Sequence, residues 1–179
     1  MTFLLVRVDD RLLHGQVALG WGLRLQPSLY LIADERAATD PWERQAYDAL
    51  APERARVEAW APSRLGSDAG SLPPETILLF RDLASLDEAF RAGFDPDQEI
   101  NLGGIHALPG SRELLPFLHL LPEAERLLAE MLVQGRRFFA QELPGAPRTE
   151  GEQLRRLLNP SSPSSPSSPP ATGPESGRP

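Results

Sequence analysis

Residues 3–25 read FLLVRVDDRLLHGQVALGWGLRL. A short apolar run, Phe3–Val8, stops at Asp9-Asp10. Val17, Trp21 and Leu25 then recur at every fourth position across Gly15–Leu25. A brief apolar run closed by polar residues is the pattern of a buried strand, and i, i+4 recurrence is that of a helix with one packed face. The unit is a strand, a polar turn and a helix. The same alternation continues. Strands are predicted at Leu29–Ala33, Arg56–Ala61, Thr76–Phe80, Ile100–Leu102 and Phe138–Glu142. Helices are predicted at Pro41–Leu50, at Leu83–Ala92 with Gly93 as its stop, at Pro122–Gln134 between a proline start and Gly135, and at Thr149–Leu158. Glu113–Leu120 reads as a further strand that Pro116 confines to an edge or a bulge. Strands alternating with helices at this spacing define an α/β fold of three layers, a mostly parallel sheet with helices on both faces. Sites in such sheets lie beyond the carboxyl ends of the strands. That rule selects four loops: Asp9–His14, Asp34–Asp40, Pro62–Gly70 and Gly103–Gly110.

The whole chain narrows the function classes. Its 179 residues and 41% apolar content suit one domain with a real core, taken as residues 1–158. A net charge of −7 argues against generic nucleic-acid binding, which needs a basic footprint. With no cysteine there are no disulfides, thiolate metal sites or cysteine nucleophiles. Every basic residue is Arg, which excludes lysine chemistry. The start lacks the basic region of a signal peptide, and no run approaches the ~20 apolar residues of a membrane helix. A cytoplasmic protein with no direct membrane insertion is expected. From Pro160 to Pro179 the composition is almost pure Pro, Ser and Gly, so a disordered tail is expected over residues 159–179.

Asp9-Asp10-Arg11-Leu12-Leu13-His14-Gly15-Gln16 is the densest polar cluster in an apolar setting. It falls between the first strand and the first helix, where free backbone N–H groups and the helix dipole favour an anion, a phosphoryl group in particular. Arg11 can clamp phosphate oxygens in a bidentate way, Gly15 lets the backbone approach, and Asp10 can orient Arg11 or the imidazole. His14 is a competent nucleophile when one ring nitrogen is unprotonated; acid–base and orienting roles suit the same residue. Asp9 and Asp10 also suit helix caps.

The stretch VRVDDRLLHGQVALGW resembles the signature of the IIB components of the mannose–fructose–sorbose family of phosphotransferase systems. The matching residues are Val8, Asp9, Asp10, Arg11, Leu12, Leu13, His14, Gly15, Gln16, Val17 and Trp21. LIADERAATDPWERQ, INLGGIH and FAQELPGAP resemble later segments of the same family, so that the resemblance covers residues 1 to about 158. It implies that His14 accepts a phosphoryl group from phospho-IIA. The group then passes to a sugar held by the IIC and IID membrane subunits, which would also bring the chain to the inner face of the membrane. It implies phosphate stabilisation by Arg11, with Gly15, Gln16 and, by a loose alignment, Ser63 in phosphate binding. No cofactor and no metal are implied. The chain departs from the family pattern at Arg81, where Lys is usual, at Asp34-Glu35 in place of Asp-Asp, in the longer loop Ser63–Pro74, and in LPFLHLLPEAE. A second functional class remains open: a regulatory IIB-like phosphoprotein whose His14 state signals to a partner without sugar transport.

Other residues read more plainly. His106 can border the site but reads as a loop histidine, and His119, in an apolar run, reads as structural. Asp34, Glu35 and Asp40 read as caps and loop residues in preference to metal ligands. Trp42 and Trp60 read as packing residues, and Arg136 and Arg137 as solvated surface.

Overall fold

The computed structural model describes residues 1–159; the tail expected to be disordered lies outside them apart from Asn159. The apolar runs form β1 (Leu5–Val8), β2 (Leu29–Ala33) and β4 (Thr76–Phe80), each buried along its whole length. Continuous burial is what a parallel strand covered on both faces requires. With β3 (Arg56–Trp60), β5 (Ile100–Leu102), β8 (Phe138–Ala140) and β9 (Thr149–Glu150) they make a seven-stranded sheet of order β3-β2-β4-β1-β5-β8-β9. Every pairing in it is parallel except β8 with β9. The alternating character of β3 is that of an edge strand, with Arg56 exposed and Val57 and Trp60 buried.

Neighbouring strand residues point to opposite faces, and the core divides accordingly. On one face Val6, Val8, Leu31, Leu78 and Phe80 pack with residues of α5 (Leu83–Arg91), α6 (Pro122–Val133) and α7 (Gly151–Leu158). On the other, Leu5, Tyr30, Ile32 and Leu79 meet Val17, Ala18 and Trp21 of the first helix and Tyr47 of α3 (Pro41–Asp48). The helices start where their caps dictate. Asp40 Oδ1 accepts from the N–H groups of Trp42 and Glu43 ahead of α3, and Asp82 Oδ1 accepts from Ser85 N–H at 2.8 Å ahead of α5. Gly93 and Gly135, both at positive φ, follow the ends of α5 and α6.

Several expectations need correction. The segment Asp34–Asp40 is not a loop: Asp34 caps the short helix α2 (Glu35–Thr39) through Ala37 N–H at 2.9 Å. Pro62–Gly70 likewise coils into a 3-10 turn (Pro62–Arg64) and α4 (Leu65–Asp68). The first helix begins as a π-helical turn, Gln16–Trp21, before continuing as α1 (Gly22–Leu25). Glu113–Leu120 does not extend the main sheet. It folds on itself as a hairpin, β6 (Arg112–Leu115) with β7 (Leu118–Leu120), because Pro116 falls at the turn and cannot join a ladder. Thr149 and Glu150 pair with β8 as β9 before α7 begins, so the last helix is shorter than its apolar pattern. Trp60 is buried, with Arg64 4.0 Å above its ring, but Trp42 is 81% exposed and does not pack.

Candidate active site

β1 delivers the chain to the carboxyl edge of the sheet at Asp9. Asp9 N–H donates to Phe80 O of β4 and Asp10 N–H to Gly104 O beyond β5, both at 2.9 Å, so the loop is tied to both neighbours of β1. Leu12 N–H closes a turn on Asp9 O at 2.9 Å, and Leu12 itself takes φ 53°. A left-handed leucine costs on the order of 1–3 kcal/mol and persists only where its surroundings enforce it. Here the enforcement is burial, since Leu12 and Leu13 are 0% and 1% exposed. Their anchoring leaves His14 at the surface of the loop with its side chain 15% exposed.

Beneath the loop lies a buried ion pair that sequence reasoning missed. Arg7 and Asp9 are both fully buried, with Nη2 2.7 Å from Asp9 Oδ2. Arg7 Nε also donates to Asp9 Oδ2, Nη1 to Asn101 Oδ1 and Gln141 O, and Nη2 to Glu142 O. All five guanidinium N–H groups thus have an acceptor, the condition for burying such a charge. Burial still draws the Arg7 pKa down, and the charge and hydrogen bonds of Asp9 oppose it. Gly103 makes the room: a Cβ there would come within 2.2 Å of Arg7 Cζ. The available signal was an arginine between two valines in a strand that is otherwise apolar. Asp9 spends its remaining capacity on the loop, accepting from Arg11 N–H at 3.2 Å and Gly104 N–H at 3.3 Å.

The predicted site residues divide into those the fold gathers and those it does not. Arg11, His14 and Gln16 come together. Gln16 Oε1 accepts from Arg11 Nη2 at 2.6 Å and lies 3.4 Å from His14 Nε2, while its amide nitrogen faces Glu142 Oε1. Among the described residues no carboxylate lies within 4 Å of the exposed Arg11 guanidinium nitrogens. His14 Nδ1 is 3.0 Å from Leu12 O and 3.8 Å from Asp9 Oδ1. Both ring nitrogens therefore face acceptors. A ring that takes up a phosphoryl group must present one of these nitrogens as a lone pair. Ala18 N–H donates to His14 O at 2.8 Å, which leaves the N–H groups of Gly15, Gln16 and Val17 ahead of the helical ladder. A Cβ on Gly15 would meet nothing within 4 Å, so the space beside His14 is open.

Asp10 is placed differently from the expectation that it orients Arg11 or the imidazole. Its carboxylate accepts from His106, at 2.7 Å from the backbone N–H and 2.8 Å from Nδ1. Neither aspartate caps the first helix. Ser63 lies in the 3-10 turn after the edge strand β3, which is three strand spacings, roughly 14 Å, from β1 across the sheet. Glu142, given no role from sequence, closes the site from beyond β8, its backbone oxygen also accepting from Trp21 Nε1 at 3.2 Å. A cleft of about 290 Å³ opens beside Arg11 between His106, Phe117, His119 and Glu142. On the other side of β1, Arg81 bonds Asp34 at 2.7 Å and Glu43 at 2.7 Å. Burial pushes the Asp34 carboxyl up, but the Arg81 hydrogen bonds and charge, with Ala37 N–H, hold it below the ordinary carboxylate range. The carboxylates of Asp34 and Asp40 are thereby engaged as caps and partners.

An open, mostly parallel sheet with helices on both faces and its polar site at the first strand-to-helix loop defines an α/β class whose sites sit where the chain reverses direction across the sheet. Within that class, the chain belongs to the PTS system sorbose subfamily IIB component family, whose model matches residues 3–162. It is 22% identical over 151 residues to the N-acetylgalactosamine-specific phosphotransferase enzyme IIB component 2 of Escherichia coli K12, a match covering 83% of this chain and 96% of that protein. Among solved structures it is similar to the IIBSor domain of the sorbose permease from Klebsiella pneumoniae (TM-score 0.75, 22% identity, 90% of this chain and 99% of that one). It is also similar to manxB from Thermoanaerobacter tengcongensis (TM-score 0.77, 21% identity, 90% and 98%). Components of this family are phosphotransferases of sugar uptake. No helix among the described residues is long and apolar enough to cross a membrane.

Proposed function

We propose that the chain is a phosphocarrier that accepts a phosphoryl group from phospho-IIA on His14 and passes it to a sugar held by the IIC and IID membrane subunits. One observation carries this reading: a single amide oxygen, Gln16 Oε1, spans the Arg11 guanidinium and the His14 ring at an open loop. Phosphoryl transfer asks a protein mainly for positioning and charge neutralisation. The P–N bond to the donor imidazole breaks, the donor nitrogen keeps the electron pair, and a P–N bond to the free His14 nitrogen forms. Arg11 and the N–H groups of Gly15, Gln16 and Val17 are the donors available to the phosphoryl oxygens. A site with one arginine at an open surface also suits release, which a carrier needs as much as capture.

Incubation with phosphoenolpyruvate, enzyme I, HPr and a IIA protein, followed by intact mass, tests the reading. The wild-type chain gains one acid-labile phosphoryl group and His14→Ala gains none while melting normally. Phosphorylation of the alanine variant would show that another residue carries the group.

A further inference from the structure

Arg11 follows two consecutive aspartates, either of which could neutralise it. The fold gives each carboxylate another partner. Asp9 is held by Arg7 within the protein. Asp10 is held by His106, 96 residues away, whose Nδ1 lies 2.8 and 3.0 Å from the two carboxylate oxygens and whose backbone N–H donates to Oδ2 at 2.7 Å. The Asp10 and His106 side chains are 31% and 58% exposed. This contact therefore contributes little to the core and lies on the same surface as the phosphoryl site. His106 also forms the wall between the cleft beside Arg11 and a second one lined by Arg81, Asp82 and Leu121, and His119 borders both. Arg81, the other cation facing Asp10 across that second cleft, is already bonded to Asp34 and Glu43.

We propose that His106 is a positioning residue for phosphoryl acceptance: by occupying the Asp10 carboxylate it keeps Asp10 from pairing with Arg11, and so leaves the Arg11 guanidinium free for the phosphoryl oxygens. This rests on the phosphocarrier reading of His14. If the His106 side chain is removed, the cation next to Asp10 in the chain is Arg11, whose guanidinium bonds the neutral amide of Gln16 and no carboxylate among the described residues. An Asp10–Arg11 pair would turn the clamp away from His14 and cancel its charge.

Potassium phosphoramidate, a small-molecule phosphoryl donor to histidine, tests this without a partner protein, with the rate read by intact mass on the full chain. His106→Ala is expected to slow labelling of His14 about tenfold, the scale of one hydrogen bond to a charged group. The melting temperature should hardly move. His106→Asn, whose amide N–H can stand where Nδ1 stands, should keep most of the rate. The decisive variant is His106→Ala combined with Asp10→Asn, which deletes the competing carboxylate charge and should restore labelling toward wild type. The Arg11 Nε–H resonance, read by NMR on unlabelled protein, should move in His106→Ala and return in the double variant. Labelling of His106→Ala at the wild-type rate overturns the proposal. A double variant no faster than His106→Ala also overturns it and makes His106 a scaffold residue. If the wild-type chain takes no phosphoryl group on His14 from either donor, the phosphocarrier reading itself fails, and the NMR shift still decides whether His106 keeps Asp10 off Arg11.

Discussion

Replacing Arg7 by Met keeps the aliphatic stem and removes the guanidinium. Asp9 is then left buried with only two backbone donors, Arg11 N–H at 3.2 Å and Gly104 N–H at 3.3 Å. Asn101 Oδ1 loses its donor as well, and the carbonyls of Gln141 and Glu142 each lose one donor and keep Asn101 Nδ2 and Trp21 Nε1 respectively. Breaking one side of a buried pair costs about 3–5 kcal/mol, because the remaining charge is uncompensated. The two surviving N–H donors to Asp9 put the expected loss at the lower end, about 3–4 kcal/mol. For a chain of this size that lowers the melting temperature by roughly 6–16 °C. Urea or thermal unfolding at neutral pH measures it. Asp9→Asn in the Arg7→Met background should recover part of the loss, since it removes the orphaned charge, and the double-mutant cycle should show coupling of at least about 1 kcal/mol. An Arg7→Met protein within about 0.5 kcal/mol of wild type, the range of ordinary surface substitutions, would refute the reasoning. It would mean that the pair is neutral against an apolar replacement and that the loop is anchored by Leu12 and Leu13 alone.

Arg11 should behave in the opposite way. Its guanidinium is exposed and bonds Gln16, so Arg11→Ala should leave the melt nearly unchanged while weakening phosphoryl acceptance by about 1.5–3 kcal/mol, roughly ten- to hundred-fold. Arg11→Lys should fall between, keeping the charge without the planar fork. A large loss of stability in Arg11→Ala with normal labelling would make it a scaffold residue. The lowered Asp34 pKa predicts a stabilisation present above about pH 4 and lost as pH falls through the folded-state value. Asp34→Asn should flatten the acid limb of a stability–pH curve; an unchanged limb would assign the acid sensitivity to other carboxylates. Truncation after Asn159 should leave both melting and labelling unchanged, as the composition beyond it offers no apolar side chain larger than Ala to bury; a fall of several degrees would contradict this.

The sequence by itself determined what local pattern can encode. Apolar runs closed by polar pairs placed β1, β2 and β4, and Asp40 as a cap, Pro122 as a start and Gly93 and Gly135 as stops marked the ends of α3, α5 and α6, because strand burial and helix capping act within a few residues of the chain. The strand-to-helix position of Asp9–Gln16 and its likeness to the IIB signature were legible for the same reason. Pro116 was seen as a breaker, but whether it edged the sheet or turned a hairpin depended on which partner Leu118–Leu120 could find, and that partner was Arg112–Leu115. Only the tertiary structure decided how the site is held. Arg7 meets Asn101 and Glu142 across 94 and 135 residues, and Asp10 meets His106 across 96. The charges of Asp9, Asp10 and Arg11 are fixed by the sequence, but which of them neutralise one another depends on which strands lie side by side. The parallel order β1-β5-β8 brings those partners beneath and beside His14, and no local periodicity records it.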